Sequence, residues 1–285
     1  MTEKIMKNNR LYEKAHLTIP QGSGLVYEVI RVIDRAALFF REHYNRFCST
    51  ARKKGVTDFM SFSSFLAMTD HFIQAQAKSS FNVKVILDVK NQDVYLFESP
   101  SSYPEKSLYE SGVHTELMPY DRSDPNAKIT NPELTNLVEA RRRETGAYEL
   151  ILVDRHRFIT EGSRSNVFFT DGTSLITPPL HSVLPGVTRQ RIISTAQAQG
   201  IPVREELIPA DSVTSFQGAF VSGTSPKILP IRSIGEHPFQ SARLPILLDL
   251  MSAFDREIMK DLNSYREISE SQAVHTRIIH SEANM

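Results

Sequence analysis

Two segments of this chain have the residue types and order to seat an anion. In Leu184-Pro185-Gly186-Val187-Thr188 a Pro-Gly turn feeds a helix expected over Arg189 to Gln199. The first N–H groups of a helix are unpaired and lie at the positive end of its dipole, so they receive a phosphate readily. Ser222-Gly223-Thr224-Ser225 follows a short expected strand and offers hydroxyls and amides that can close into an anion nest. Two such loops in one chain point to a phosphate-bearing ligand. Metal chemistry finds no support: the nine histidines show no ligand spacing, and one cysteine, Cys48, is too few for a multi-cysteine site. His43 stands one turn before Arg46 and reads as a packing or phosphate-side neighbour rather than a base. Arg141-Arg142-Arg143 is flanked by Glu139 and Glu144, the pattern of a solvated helix face and not of a nucleic-acid patch.

The elements that must hold these loops can be read from periodicity. Leu25 to Ile33 is β-branched and long enough for a strand. Leu38 to Arg52 and Phe59 to Ala77 repeat at helical spacing. Val83 to Leu87 and Asp93 to Phe97 form strands about a Lys-Asn-Gln turn, Ser99 to Leu108 is a Ser/Pro loop, and Val113 to Met118 is a further strand. The turn-rich Tyr120 to Asn126 is the candidate domain boundary. Beyond it come a helix over Leu134 to Glu144, strands over Glu149 to Val153 and Val167 to Thr170, and the helix to Gln199 closed by Gly200. Short strands at Ala219 to Ser222 and Ile228 to Ile231 precede an amphipathic helix over Leu244 to Leu262. This gives three expected segments: 1–122, a small N-terminal domain opening with a polar leader over 1–16; 123–264, a larger C-terminal domain; and 265–285, a mobile tail.

Composition excludes whole classes. At 285 residues, 40% hydrophobic and 23% charged, the chain can bury a full core and is neither disordered nor fibrous. Its 33 basic and 33 acidic side chains cancel, so no global field favours nucleic acid or an anionic membrane. No window reaches about 18 apolar residues, and the start, MTEKIMKNNRLYEK, runs into no apolar segment. With a single cysteine, the expectation is a soluble, cytoplasmic protein without disulfides.

A resemblance sharpens this. Glu161-Gly162-Ser163-Arg164-Ser165-Asn166-Val167-Phe168, then Thr177-Pro178-Pro179, then Leu184-Pro185-Gly186-Val187-Thr188-Arg189 resembles the signature of the class IV, fold-type IV pyridoxal-phosphate enzymes. That group includes branched-chain aminotransferases, D-amino-acid aminotransferases and aminodeoxychorismate lyases. Tyr27-Glu28-Val29-Ile30-Arg31 and His43-Tyr44-Asn45-Arg46-Phe47 are similar to the family's "FExIR" strand and "HxxRL" helix. The resemblance spans about Gly22 to Arg232. It implies an α/β (α+β) fold of two domains, with the cofactor, pyridoxal 5'-phosphate, in the cleft between them, and a homodimer.

It also implies roles. Lys128 matches the Schiff-base lysine, which carries a proton at the substrate Cα once substrate displaces it; desolvation and a cationic pyridinium would favour its neutral form. Glu161 matches the partner of the pyridine nitrogen, keeping the ring protonated as an electron sink. Arg46 pairs with the phosphate, aided by Val187, Thr188 and Thr224. Tyr27, Arg164 and Ser225 are candidate substrate contacts. The implied activity is transfer of an amino group between an amino acid and a 2-oxo acid. The alternatives are an aminodeoxychorismate lyase, which ends in pyruvate elimination, and a non-catalytic dimeric module of the same fold. The strand around Lys84 to Asp88 lacks the Arg and His pair of D-amino-acid enzymes and the Arg typical of branched-chain enzymes, so substrate choice stays open.

Overall fold

The computed structural model describes residues 3–57, 60–100 and 103–282, with side chains described as far as Gln272. The chain divides into two units, one of Met1–Ser101, Lys128–Thr130 and Glu257–Met285, the other of Ser102–Ala127 and Asn131–Arg256. The division is therefore not a single cut near residue 122.

The first unit is built on a six-stranded antiparallel sheet. Its strands are β1 (Lys4–Lys7), β2 (Arg10–Glu13), β3 (Val26–Ile33), β4 (Ala36–Ala37), β5 (Phe81–Asp88) and β6 (Asp93–Ser99), in the order β2-β1-β6-β5-β3-β4. Strict alternation along β3 buries Val26, Glu28, Ile30 and Val32 and leaves Tyr27, Val29 and Arg31 half-buried, the pattern of a strand with one face in the core. Helix α1 (Phe40–Lys53) packs on β3 and buries Phe40, His43, Phe47, Thr50 and Ala51; α2 (Phe62–Gln74) follows it. The start of α1 is unusual: its N-cap is Phe39 in the left-handed region, with φ of +51°, and Asp261 Oδ2 accepts the Phe39 N–H at 2.5 Å. A bulky residue there costs energy, and the carboxylate at the positive end of α1 offsets part of it.

Within the first sixteen residues, expected as a polar leader, the described Lys4–Lys7 and Arg10–Glu13 instead form the hairpin β1–β2. Its inner strand pairs with β6 (Ile5↔Phe97, Met6↔Leu96), burying Ile5 and Met6. Two apolar residues in a charged stretch give little local signal; the pairing partner lies some ninety residues away.

The second unit carries α3 (Lys106–Ser111), β7 (Val113–Pro119), α4 (Pro132–Thr145), β8 (Glu149–Val153), β9 (Phe158–Gly162), β10 (Asn166–Thr170), β11 (Leu175–Thr177), α5 (Val187–Ala198), β12 (Val203–Glu205), β13 (Ile208–Pro209), β14 (Gly218–Gly223), β15 (Lys227–Ile234) and β16 (His237–Pro238). These strands make one mixed sheet, β12-β11-β10-β14-β15-β7-β8-β9-β13, with β16 on β15. The central pairs β15–β7 and β7–β8 are parallel. One face holds a core of Ile151, Val167, Phe169, Ile176, Val221, Leu229 and Ile231; on the other, Phe168 and Phe220 stack at 4.8 Å. The Ser/Pro loop expected over Ser99 to Leu108 contains the start of α3.

Last comes α6 (Pro245–Glu282), whose residues to Arg256 belong to the second unit and from Glu257 to the first. An end near Leu262 is not found. The helix continues, and in the first unit Tyr265 is 5% exposed with its ring 5.5 Å from that of Phe40, edge to face. Among the described residues no helix is long and apolar enough to cross a membrane.

Candidate active site

In the first unit, Lys128 is held by backbone. The Lys128–Thr130 segment lies against the start of β3: Tyr27 N–H donates to Lys128 O at 3.0 Å, Thr130 N–H to Leu25 O at 2.9 Å and Gly24 N–H to Thr130 O at 3.0 Å, with a bridge between Val26 and Ile129. The Thr130 hydroxyl completes the seam, accepting from Leu25 N–H at 3.1 Å and donating to Gly22 O at 2.7 Å. Thr130 thus fixes a loop that Asn131-Pro132 would otherwise leave irregular. Lys128 Nζ sits 4.8 Å from the centre of the Tyr27 ring, and Lys84 Nζ lies 5.0 Å from the same ring, both within cation–π range.

On the opposite face of β3, Glu28 is fully buried. Arg46 Nε and Nη2 donate to its two carboxylate oxygens, both at 2.7 Å, and His43 Nδ1 stands 2.8 Å from Oε2. Burial pushes this carboxyl up, but the Arg46 charge and the hydrogen bonds from Arg46 and His43 outweigh it and hold the pKa at about 2. His43 is held below the usual histidine range, first by burial and then by the Arg46 and Lys128 charges, against the pull of Glu28. It is therefore neutral at pH 7 and donates from Nδ1.

In the second unit, Glu161 lies on β9, a strand absent from the elements expected from periodicity. Its side chain is 3% exposed; Oε1 accepts from Arg122 Nη1 at 2.6 Å and Oε2 from Leu184 N–H at 3.0 Å. A charged arginine and an amide stabilise its ionised form. The turn after it is pinned by a second buried acid, Glu149, whose oxygens accept from the hydroxyls of Ser163 and Ser165. Asn166 then donates to Leu184 O at 3.1 Å, tying β10 to the Pro-Gly turn.

That turn delivers α5 with Gly186 as N-cap and no side chain capping it. Val187 and Thr188 occupy the first two helical positions and are nearly buried. Beside them, β14 ends in a tight hairpin turn of Thr224, Ser225 and Pro226, closed by the Gly223↔Lys227 pair. Cross-strand pairing sets Ser222 opposite Asn166, and a Cβ on Gly223 would lie 3.7 Å from the Arg164 carbonyl oxygen. The Arg164 turn and the Thr224 turn thus adjoin. The Ser222 hydroxyl is buried with no hydrogen-bond partner among the described residues.

The expected site residues therefore form two groups. Tyr27, Arg46 and Lys128 belong to the first unit; Glu161, Arg164, Val187, Thr188, Thr224 and Ser225 to the second. Sequence reasoning missed Arg122 and Glu149. Arg122 sits in a turn with no periodic signal, whereas Glu149, an acid opening the apolar run Glu149 to Val153, could have been flagged. Arg189, part of the sequence signature, binds Pro178 O and Glu205 from a fully buried position, a structural role.

Comparison with known proteins bears on this arrangement. The sequence pattern of the family Amino-transferase class IV matches residues 25–234. A Thermotoga maritima protein named "Probable branched-chain-amino-acid aminotransferase" is 31% identical over 243 residues, 81% of this chain and 85% of that protein. A D-alanine aminotransferase of Bacillus licheniformis is 23% identical over 90% of this chain and 98% of its own length. The structure of the branched-chain amino acid aminotransferase from Escherichia coli covers 90% of this chain and 95% of its own at 24% identity, with a TM-score of 0.79, a likeness of fold.

Proposed function

Because the chain belongs to the class IV aminotransferase family, and so is a pyridoxal-phosphate-dependent transaminase, we propose that Lys128 is its Schiff-base lysine and that its amino substrate is a branched-chain amino acid. The side chains fit the cofactor on three counts. Glu161 is a buried, ionised acceptor suited to a protonated ring nitrogen. The start of α5 is an uncapped ring of N–H donors suited to a phosphate. Ser222 adds beside that seat a buried hydroxyl without a hydrogen-bond partner among the described residues.

When bound, the cofactor supplies an electron sink for the pair left at the substrate Cα. The chain's own groups do the rest. Lys128 Nζ, steered by its backbone seam to β3 and its place over Tyr27, takes the proton from the substrate Cα. Glu161, fixed by Arg122 and the Leu184 N–H, keeps a proton on the ring nitrogen. In the second unit the Val187 and Thr188 amides and the Thr188 and Thr224 hydroxyls hold the phosphate; in the first unit Arg46 is, by the family resemblance, a phosphate ligand. Tyr27, Arg164 and Ser225 are the substrate-side contacts.

The observation that carries the reading is the stitching of Lys128 to β3 beside Tyr27. The branched-chain assignment rests on the Thermotoga maritima relative, which aligns over most of both chains. By the family resemblance the enzyme is a homodimer, which light scattering on the eluted protein tests, and its single cysteine favours a cytoplasmic setting. The functional test is to supply cofactor-loaded protein with L-leucine, L-valine or D-alanine and a 2-oxo acid acceptor, and to identify the products. New 2-oxo acid and amino acid from the L-branched substrates alone support the proposal. Turnover of D-alanine alone refutes the substrate assignment, and pyruvate release from aminodeoxychorismate without amino transfer refutes the reaction in favour of a lyase.

A further inference from the structure

Glu28 is an acid in a core position, sharing the buried face of β3 with Val26, Ile30 and Val32. A carboxylate survives there only if its charge and its lone pairs are both met. Both are met from α1, where His43 and Arg46, three residues apart, project from one face of the helix. The Arg46 guanidinium is gripped along one edge: two of its five N–H groups are spent on Glu28, so the plane and the direction of the other edge are fixed.

We infer that Glu28 and His43 are positioning residues for Arg46, together holding its guanidinium in the orientation in which the opposite edge receives the cofactor phosphate. This rests on the reading of Arg46 as a phosphate ligand. Positioning and simple charge attraction give effects of opposite sign at Glu28. Glu28 cancels the charge of Arg46, so on coulombic grounds neutralising Glu28 would strengthen the hold on an anion. On the positioning account it weakens the hold, because a loosened arginine must lose its rotamer freedom on binding.

The test compares the affinity of the cofactor-free protein for pyridoxal phosphate and for pyridoxal, which lacks the phosphate, by absorbance titration. Thermal melts verify that each variant is folded. Glu28→Gln lowers the phosphate preference (the ratio of the two affinities) about tenfold, the loss of one charge-assisted hydrogen bond. Binding of pyridoxal stays within about threefold. His43→Phe lowers the ratio a few fold, and Arg46→Lys lowers it while adding little in the Glu28→Gln background, since the two act as one unit. An unchanged or increased ratio in Glu28→Gln, with a lowered one in Arg46→Lys, overturns the positioning role and leaves Arg46 as phosphate ligand. An unchanged ratio in Arg46→Lys overturns that reading itself. Should Glu28→Gln fail to fold, His43→Phe decides, because it leaves the Arg46–Glu28 pair in place.

Discussion

Gly186→Ala tests whether the proposed phosphate seat owes its form to a close approach rather than to backbone freedom. Gly186 has φ of −61° and ψ of 128°, a conformation open to any residue. Alanine there would even stabilise by about 0.4–1 kcal/mol through the unfolded chain. Space opposes it. A Cβ would lie 2.0 Å from Asn166 Oδ1, 3.1 Å from Asn166 Cγ and 3.2 Å from Arg189 Cβ. Asn166 is 6% exposed and anchored to Leu184 O, so it must turn away and give up that bond, about 1 kcal/mol. Crowding of the packed neighbours adds roughly 1–3 kcal/mol. The net loss is roughly 1–3 kcal/mol, or a melting temperature lower by several degrees at roughly 2–4 °C per kcal/mol. Calorimetry of the cofactor-free protein measures it. Asn166→Ala in the same chain removes the clashing atom, so the double variant should lose less than the sum of the singles. An unshifted melting temperature in Gly186→Ala, or strict additivity in the double variant, would refute the argument.

Other outcomes follow from the same geometry. Glu161→Gln removes the charge proposed to hold a proton on the ring nitrogen and should lower kcat by roughly 100-fold, with folding retained on circular dichroism; a loss under about threefold would contradict the role. Glu28, with its folded pKa near 2 against an ordinary 4.5, contributes stability that is full above about pH 4.5 and lost as pH falls towards 2, roughly 3 kcal/mol by linkage. His43 acts in the same direction: with its folded pKa lowered, the unfolded chain takes up its proton first, so stability also declines as pH drops below about 6.5. Urea melts from about pH 7 to 2 should therefore show, below about pH 4.5, a steeper decline in the wild type than in Glu28→Gln, and parallel slopes there would sink the assignment. Tyr265→Ala should cost roughly 3–5 kcal/mol, because its ring packs on Phe40 under 5% exposure; a neutral effect would restore the reading of a tail that begins there.

What could be read from the sequence was local. The Pro-Gly turn before Val187 and the Gly200 that closes α5 are signalled within a few residues by φ preference and by hydrogen-bonding capacity, and both stand where expected. The order Glu161…Asn166…Thr188 carried the family and the mixed α/β architecture. What escaped was non-local or in conflict with its surroundings. β9 was missed because its buried Glu161 sits where an apolar residue would mark a strand, a departure from pattern expected where a residue is kept for its chemistry. The β1–β2 hairpin depends on β6, and α6 beyond Leu262 is too polar to show a clear stripe although Tyr265 is buried. The partners of the key charges, Arg122 for Glu161 and Glu28 for Arg46, are choices of tertiary structure that no spacing reveals.

The central claim is that Lys128 is the residue joined to the cofactor. Borohydride reduction of the cofactor-loaded protein, followed by peptide mass spectrometry, fixes that bond irreversibly and locates it. The account predicts one phosphopyridoxyl group on the peptide containing Lys128, and none in Lys128→Ala. A label on Lys84 or any other lysine, with Lys128 unmodified, would contradict it.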